Sequence, residues 1–121
     1  MKKRDYYDYI QDVLTSIDEV DEFTKDMSFD EFAGDKKTIN AVVRSLEVLG
    51  EAAKKIPADM RKKNVKVPWN LMAGMRDKLI HQYFSVDLEI VWKVVKEELP
   101  PIRPFIEKII TELIKEEKNS L

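Results

Sequence analysis

The chain has 121 residues, near the commonest size of a single domain, and we expect one domain over residues 1–121 with a frayed polar tail from about residue 115. Hydrophobic residues make up 44% and charged residues 36%, and no apolar run approaches the ~20 residues of a membrane span. With no cysteine and one histidine, disulfides, thiolate zinc sites and multi-histidine metal sites within one chain are excluded. We therefore expect a cytoplasmic protein with no metal, no cofactor and no membrane contact.

Charge is distributed unevenly along the chain, although the formal net charge is only −2. Residues 5–35 hold eleven Asp or Glu against one Lys, whereas residues 54–78 hold eight Lys or Arg against two Asp. A local positive field of this kind can attract phosphate even when the whole molecule is acidic. The alternative, which composition leaves open, is that these charges form an ordinary solvated surface with no phosphate ligand.

Apolar residues near the start of the chain recur at helical spacing and predict a long first helix with an acidic outer face. They are Tyr6, Tyr7, Ile10, Val13, Leu14, Ile17 and Val20. A capping box that begins at Ser28 predicts a single short helical turn, anchored by Phe29 and Phe32. Gly34 is expected to end this turn in the left-handed conformation, and Asp35 can cap the next helix.

The next helix is predicted from about Lys36 to Ile56 and has two apolar sides. The broad side is a core stripe of Ile39, Val42, Val43, Leu46, Leu49, Ala53 and Ile56. The narrow side permits close approach of a helix from the same chain or from a partner protomer, and consists of Ala41, Ser45, Val48 and Ala52. Between the sides lies a polar row, which on its pattern alone could be a row of exposed ion pairs: Asn40, Arg44, Glu47 and Glu51.

A basic connection, Ala58 to Val67, is expected before a helix that Pro68 opens and Trp69 anchors. A further helix can be capped by Ser85 or Asp87, and two prolines separate it from a last helix. The apolar stripes of these two helices are Leu88, Val91, Trp92, Val95 and Leu99, and Ile102, Phe105, Ile106, Ile109, Ile110 and Leu113. No segment alternates with a period of two, so we predict an all-α, up-and-down bundle of about four to five main helices plus short helical turns.

Arg76 stands in the middle of an apolar arc of the helix that begins near Pro68. On a wheel at ~100° per residue, the residues within about 60° of it are Met72, Leu79, Ile80 and Tyr83. Burying an unpaired guanidinium costs several kcal/mol, so a carboxylate must meet Arg76 or the arc must open onto a solvated cleft. Glu47 and Glu51 of the preceding helix are the candidate partners.

His81, the only histidine, lies ~140° around an ideal helix from Arg76, so the two share no face unless the helix ends or kinks there. Asp77 is one turn before His81 and would favour its imidazolium form. Tyr83 nearly eclipses Arg76 and can direct its hydroxyl into the same cleft. These residue types suit phosphate-ester chemistry, in which histidine transfers protons and arginine stabilises the charged phosphorane. A polar helix end with a surface histidine is the commoner outcome for an isolated Arg-x4-His.

Five blocks of sequence, in this order, resemble the HepT branch of the HEPN superfamily. They are Met27–Phe32, Leu46–Ala53, Val67–Trp69, Arg76-x4-His81-x-Tyr83 and Val86–Trp92. The resemblance runs from about Asp5 to Phe105. It implies an all-α bundle that forms a homodimer, with both Arg-x4-His motifs lining a cleft at the interface. It also implies a metal-independent endoribonuclease toxin, paired with a minimal nucleotidyltransferase (MNT) antitoxin.

Carried over residue by residue, the resemblance implies that Arg76 and His81 are the catalytic pair and that Asp77 is the polar residue after the arginine. Tyr83 matches the tyrosine that MNT partners modify with AMP. The candidates for RNA contact are basic residues around the motif: Arg61, Lys62, Lys63, Lys66 and Lys78. The alternative is a non-catalytic HEPN protein that binds a nucleotide or serves as the scaffold subunit of a nucleotidyltransferase.

Attack by a ribose 2′-hydroxyl works best with one general base and one general acid, whereas this chain has one histidine. A symmetric dimer would supply two copies of His81. We expect one His81 to deprotonate the 2′-hydroxyl, the other or a water to protonate the leaving oxygen, and Arg76 of both chains to bind the phosphate. Glu47 or Glu51 would hold Arg76 in place, and AMP on Tyr83 would block the cleft.

Overall fold

In the computed structural model, residues 3–81 and 87–119 are described, with side chains described for residues 6–75, 77 and 87–119. The helices are α1 (Lys3–Phe23), α2 (Phe29–Ala33), α3 (Lys36–Lys54), α4 (Ala58–Lys63), α5 (Trp69–His81), α6 (Leu88–Lys93), continued by a π-helical turn (Val94–Glu98), and α7 (Arg103–Asn119). Neither described range contains a strand, and the predicted all-α fold is confirmed. None of the helices in these ranges combines the length and the apolar character needed to cross a membrane.

The core lies where the long helices meet: α1 packs against α3 and α7, and α3 also packs against α5. The predicted apolar stripes supply this core, because spacings of three and four residues place their members on one side of a helix. The largest fully buried apolar side chains are Phe32, Ile10, Leu46, Leu49, Met72, Leu99, Ile106, Val13, Val20 and Val42. Burying one such aliphatic side chain contributes about 1.5–3 kcal/mol, so the cluster holds α5 firmly against α3.

The small-residue side of α3 faces α1 of the same chain. Ser45 and Ala52 are buried there. The Ser45 hydroxyl donates a hydrogen bond to the Glu19 carboxylate of α1 at 3.3 Å. The sequence left open whether this side meets a helix of the same chain or of a partner protomer. At Ser45 and Ala52 the structure shows a helix of the same chain.

The short helix α2 forms as predicted. Ser28 and Glu31 make a reciprocal capping box, with hydrogen bonds of 3.1 and 3.0 Å between each side chain and the other residue's backbone N–H. Phe32 is fully buried. The rings of Phe29 and Phe32 contact Trp92, with centroids 6.1 and 5.1 Å apart, so α2 is anchored on α6.

The prediction for Gly34, which ends α2, is wrong. Its φ of −90° and ψ of −2° lie in the right-handed region. The chain does not reverse at this glycine, because Asp35 follows at once as the cap of α3 and accepts a hydrogen bond from the Thr38 N–H at 3.1 Å. That hydrogen bond, with a second from the Thr38 hydroxyl, holds the pKa of the Asp35 carboxyl below its usual range.

Two segments are more helical than their sequence patterns predicted. Helix α4 occupies the first part of the predicted basic connection, with Asp59 in its first turn and basic residues in its last turn. This arrangement of charge complements the helix dipole at both ends. Helix α7 continues past its apolar stripe to Asn119, so the predicted polar tail is helical and exposed as far as that residue.

The π-helical turn after α6 was not predicted from the sequence pattern. Its signature is the hydrogen bond from the Leu99 N–H to the Val94 carbonyl at 2.9 Å, five residues back. A π-helical turn rotates by a smaller angle per residue than an α-helix does, so residues four apart lie closer to one face. Val91, Val95 and Leu99 consequently all remain buried, at 3%, 2% and 0% exposure.

Candidate active site

Helix α5 carries the Arg-x4-His motif, and its inner side is well defined. Trp69 and Met72 are buried at 5% and 0% exposure. The Trp69 indole N–H donates to the Asn64 carbonyl at 3.0 Å, which anchors the start of the helix as predicted. At ~100° per residue, position 76 lies about 20° from Trp69 and about 40° from Met72. Position 76 is therefore on the buried side of the helix, while the Arg76 side chain lies outside the described residues.

The other side of α5 is exposed. Leu71 has 54% of its surface exposed, and a Cβ added at Gly74 would meet no atom within 4 Å. Position 81 follows Gly74 by seven residues, which places it about 20° away on an ideal helix. An ideal α5 therefore puts positions 76 and 81 on different faces of one protomer. The side chains of His81 and Lys78, and the whole of Tyr83, lie outside the described residues.

Asp77 joins the motif helix to α3. The Lys54 ammonium lies 3.1 and 3.2 Å from the two carboxylate oxygens of Asp77. Because both side chains are partly exposed, at 34% and 55%, this pair stabilises the fold by about 1 kcal/mol or less. Its main consequence is geometric, since it holds α5 against α3 one residue away from position 76.

Lys54 is not among the predicted site residues, although the sequence contains a signal for it. The polar row of α3 alternates spacings of four and three residues, and Lys54 continues that alternation after Asn40, Arg44, Glu47 and Glu51. The predicted partners in this row are its two carboxylates, Glu47 and Glu51, because an arginine requires a negative charge. Lys54, the described partner of Asp77, is a cation and is the next residue of the row after Glu51.

The two glutamates of this row border a groove between α1 and α3. Glu47 lies 3.7 Å from Arg44 in an i,i+3 ion pair. Glu47 and Glu51 line an open groove of about 390 Å³, together with Tyr9 and Asp12 of α1. In the part of the chain that the structure describes, no three His, Asp or Glu side chains are arranged to hold a metal ion. The predicted contact of either glutamate with Arg76 involves an undescribed side chain and stays a prediction.

Comparison with known proteins decides the family. The family described as "Ribonuclease HepT-like" matches residues 13–109 of the chain. The chain belongs to the HepT-like ribonuclease family. The resemblance found in the sequence blocks is thereby confirmed.

Curated relatives of this HepT-like chain align with nearly all of it. It is 49% identical to "Putative RNase MJ1216" of Methanocaldococcus jannaschii over 121 residues, 100% of both chains. It is 51% identical to "Putative RNase MJ0125" of the same organism over 113 residues, 93% of this chain and 97% of the relative. It is 47% identical to "Probable ribonuclease HepT" of Thermococcus cleftensis over 107 residues, 88% of this chain and 97% of the relative. No solved structure matches the chain significantly.

Arg61, one of the predicted RNA contacts of this HepT-like protein, has a structural role. Its guanidinium donates to the carbonyl oxygens of Ala53 and Ile56 at 2.9 and 3.0 Å. Carbonyls at a helix C-terminus lack partners within the helix, and a cation satisfies them well. A third hydrogen bond, of 3.4 Å to the Asn70 side chain, reaches the start of α5. Arg61 thus joins α3, α4 and α5, and its contact with RNA stays a prediction.

The lysines after Arg61 are available to solvent. Lys62, Lys63 and Lys66 are all exposed. Lys63 and Lys66 line a groove beside α7, and the Lys66 ammonium lies 5.8 Å from the centroid of the Phe105 ring. The structure therefore brings two of the predicted RNA contacts together with residues of α7 that were not predicted as contacts.

Proposed function

We propose that this HepT-like protein is a metal-independent endoribonuclease that acts as a toxin. The observation that carries the proposal is the family match over residues 13–109, which includes the complete Arg76-x4-His81 motif. Relatives that align with 88% to 100% of the chain bear the words RNase or ribonuclease in their names. A single histidine and the absence of cysteine agree with chemistry that uses arginine and histidine alone.

In the proposed reaction the ribose 2′-oxygen attacks the adjacent phosphorus, and the bond from phosphorus to the 5′-oxygen breaks. One His81 accepts the proton of the 2′-hydroxyl as general base. The His81 of the second protomer, or a water, donates a proton to the leaving 5′-oxygen. Arg76 from both protomers binds the phosphate and stabilises the charge that develops on it. The products are a cyclic phosphate and a 5′-hydroxyl.

A homodimer would bring the two histidines together, and the exposed side of α5 supports such a dimer. Leu71 offers apolar surface there, and the bare backbone at Gly74 permits close approach of a second helix. Position 81 lies on this same side of the helix. Two-fold symmetry would place the α5 helices of two protomers against each other, with both copies of position 81 bordering one cleft.

Purified protein is expected to cleave RNA in the presence of EDTA and to leave cyclic phosphate and 5′-hydroxyl ends. The 5′ ends should accept radiolabelled phosphate from polynucleotide kinase without prior phosphatase treatment. The 3′ ends should become substrates for phosphatase only after mild acid opens the cyclic phosphate. RNA that stays intact under all conditions would contradict the proposed ribonuclease activity. It would favour a non-catalytic subunit that binds a nucleotide or a nucleotidyltransferase.

We further propose that an MNT-type nucleotidyltransferase antitoxin neutralises the toxin by modifying Tyr83, which lies outside the described residues. The tyrosine oxygen would attack the α-phosphate of ATP, releasing pyrophosphate and leaving AMP on the side chain. The support comes from the sequence, in which Tyr83 follows Arg76 by seven residues. An anionic group held near Arg76 would compete with the phosphate of the RNA.

Coexpression with an MNT-type nucleotidyltransferase encoded beside this protein is expected to add the mass of one AMP to the chain and to abolish its RNA cleavage. Intact-mass spectrometry should show no adduct on Tyr83→Phe and an unchanged adduct on the control Tyr9→Phe. A wild-type protein that is neutralised without any adduct would instead indicate inhibition by binding alone.

A further inference from the structure

A second basic surface lies between the α4–α5 connection and α7. We call it the lysine groove; it has a volume of about 300 Å³ and is lined by Lys63, Val65 and Lys66 on one side and by Phe105, Lys108 and Glu112 on the other. Three lysines therefore face one carboxylate. The described lining of this groove comes from residues 63–67 and from α7, and none of it from the described side chains of α5, the helix that carries the motif.

The groove also lacks close ion pairs within the part of the chain that the structure describes. Among the described residues, neither Lys63 nor Lys108 has a carboxylate within 4.0 Å. Some other cations of the described surface do have partners: Lys54 pairs with Asp77, and Arg103 pairs with Asp18 and Glu107. Neighbouring ammonium groups without counter-ions create a positive potential, which a bound anion would relieve.

Apolar surface is interleaved with these charges. Phe105 is 38% exposed and Val65 is 76% exposed. The Lys66 ammonium lies 5.8 Å from the Phe105 centroid, within the range of a cation–π contact. An exposed ring beside lysines is the arrangement on which single-stranded nucleic acid binds, with a base on the ring and phosphates on the cations.

We propose that the lysine groove binds nucleotides of single-stranded RNA that flank the cleaved bond. Lys63, Lys66 and Lys108 contact phosphates, and a base stacks on Phe105. The inference rests on the proposed function, because it takes RNA as the substrate. Single strands are favoured over duplexes, since a base can stack on a side chain only when it is free of its own duplex.

Binding of a short, fluorescently labelled single-stranded RNA tests the proposal. The RNA carries 2′-O-methyl groups, so it cannot be cleaved through a 2′-hydroxyl, and Kd is measured by anisotropy over a range of salt concentrations. The double variant Lys63→Gln/Lys108→Gln should bind about tenfold more weakly. The slope of log Kd against log salt should fall by about 1.4, or 0.7 for each lost phosphate contact. The control Lys25→Gln/Lys93→Gln removes equal charge from exposed positions outside the groove and should change neither quantity.

Phe105→Leu separates stacking from charge. This variant keeps apolar bulk but loses the ring, so binding should weaken about fivefold or more while the salt slope stays the same. A duplex of the same sequence should bind wild type and Phe105→Leu equally. If Phe105→Leu proves unstable in a thermal melt, the double lysine variant decides alone, because its side chains are exposed.

The outcomes distinguish this inference from the proposed function. If both groove variants bind RNA with the affinity of the wild type, while cleavage still requires His81, the inference is overturned and the proposed ribonuclease function stands. Binding that depends on the groove in a protein that never cleaves RNA would support the groove and overturn the ribonuclease. Groove variants that bind RNA normally but no longer bind the nucleotidyltransferase would overturn the inference in favour of a protein partner.

Discussion

Replacing His81 with alanine is expected to slow RNA cleavage by about 10²–10⁴-fold, because proton transfer by a positioned side chain contributes that much to a reaction rate. Arg76→Ala is expected to cost about 10²–10³-fold, the range seen when a donor to a developing anion is removed. Arg76→Lys should recover only part of the loss, since an ammonium lacks the planar fork that grips two phosphate oxygens. Single-turnover rates on one RNA substrate measure all three effects.

Thermal melting separates lost chemistry from lost structure in these variants. Among the described side chains of α5, Trp69, Met72 and Met75 supply the buried contacts, and His81 stands at the end of the helix, so we expect His81→Ala to melt like wild type. Asn70→Ala, at an exposed position at the start of the same helix, is the matched control; it removes only the 3.4 Å hydrogen bond from Arg61 and should cleave normally. Full activity of His81→Ala would overturn its acid–base role. An equal loss in Asn70→Ala would point to a damaged helix.

Expression in cells gives a parallel test, because toxicity should disappear in Arg76→Ala and His81→Ala.

Leu71→Asp is expected to convert the proposed dimer into a monomer and to remove most of the cleavage activity. Leu71 is apolar and 54% exposed, on the side of α5 that Gly74 and position 81 share. At a two-fold interface the substitution would bury two like charges, at a cost of several kcal/mol. A monomer retains one histidine and lacks the second proton-transfer group, so its rate should fall by about 10²-fold or more.

Light scattering gives the molar mass of Leu71→Asp at the concentration at which its cleavage rate is measured. Ile114→Asp is the matched control, because it adds the same charge at an apolar residue of α7 that is 39% exposed. It should remain dimeric and active. A Leu71→Asp protein that stays dimeric would place the interface elsewhere. One that is monomeric but fully active would show that a single protomer carries the whole site.

Most of the helical framework could be predicted because it depends on residues close together in the chain. Helix caps act over two or three residues, and the predicted cap at Asp87 is confirmed by hydrogen bonds from the N–H groups of Glu89 and Ile90 at 3.0 and 3.3 Å. The conformation of Gly34 could not be predicted, since it depends on the direction in which α3 leaves. The helical state of α4 likewise involves Arg61, which reaches back to the end of α3.

The sequence by itself determined the apolar faces, the spacing of Arg76 and His81, and the fact that one protomer holds a single histidine. These properties follow from residue type and from neighbours three or four positions apart. Only the tertiary structure decided that Lys54 meets Asp77 and that α7 brings Phe105 and Lys108 to the lysines of the α4–α5 connection. Such contacts join residues far apart in the chain, and their partners are set by how the whole core packs, which no local pattern encodes.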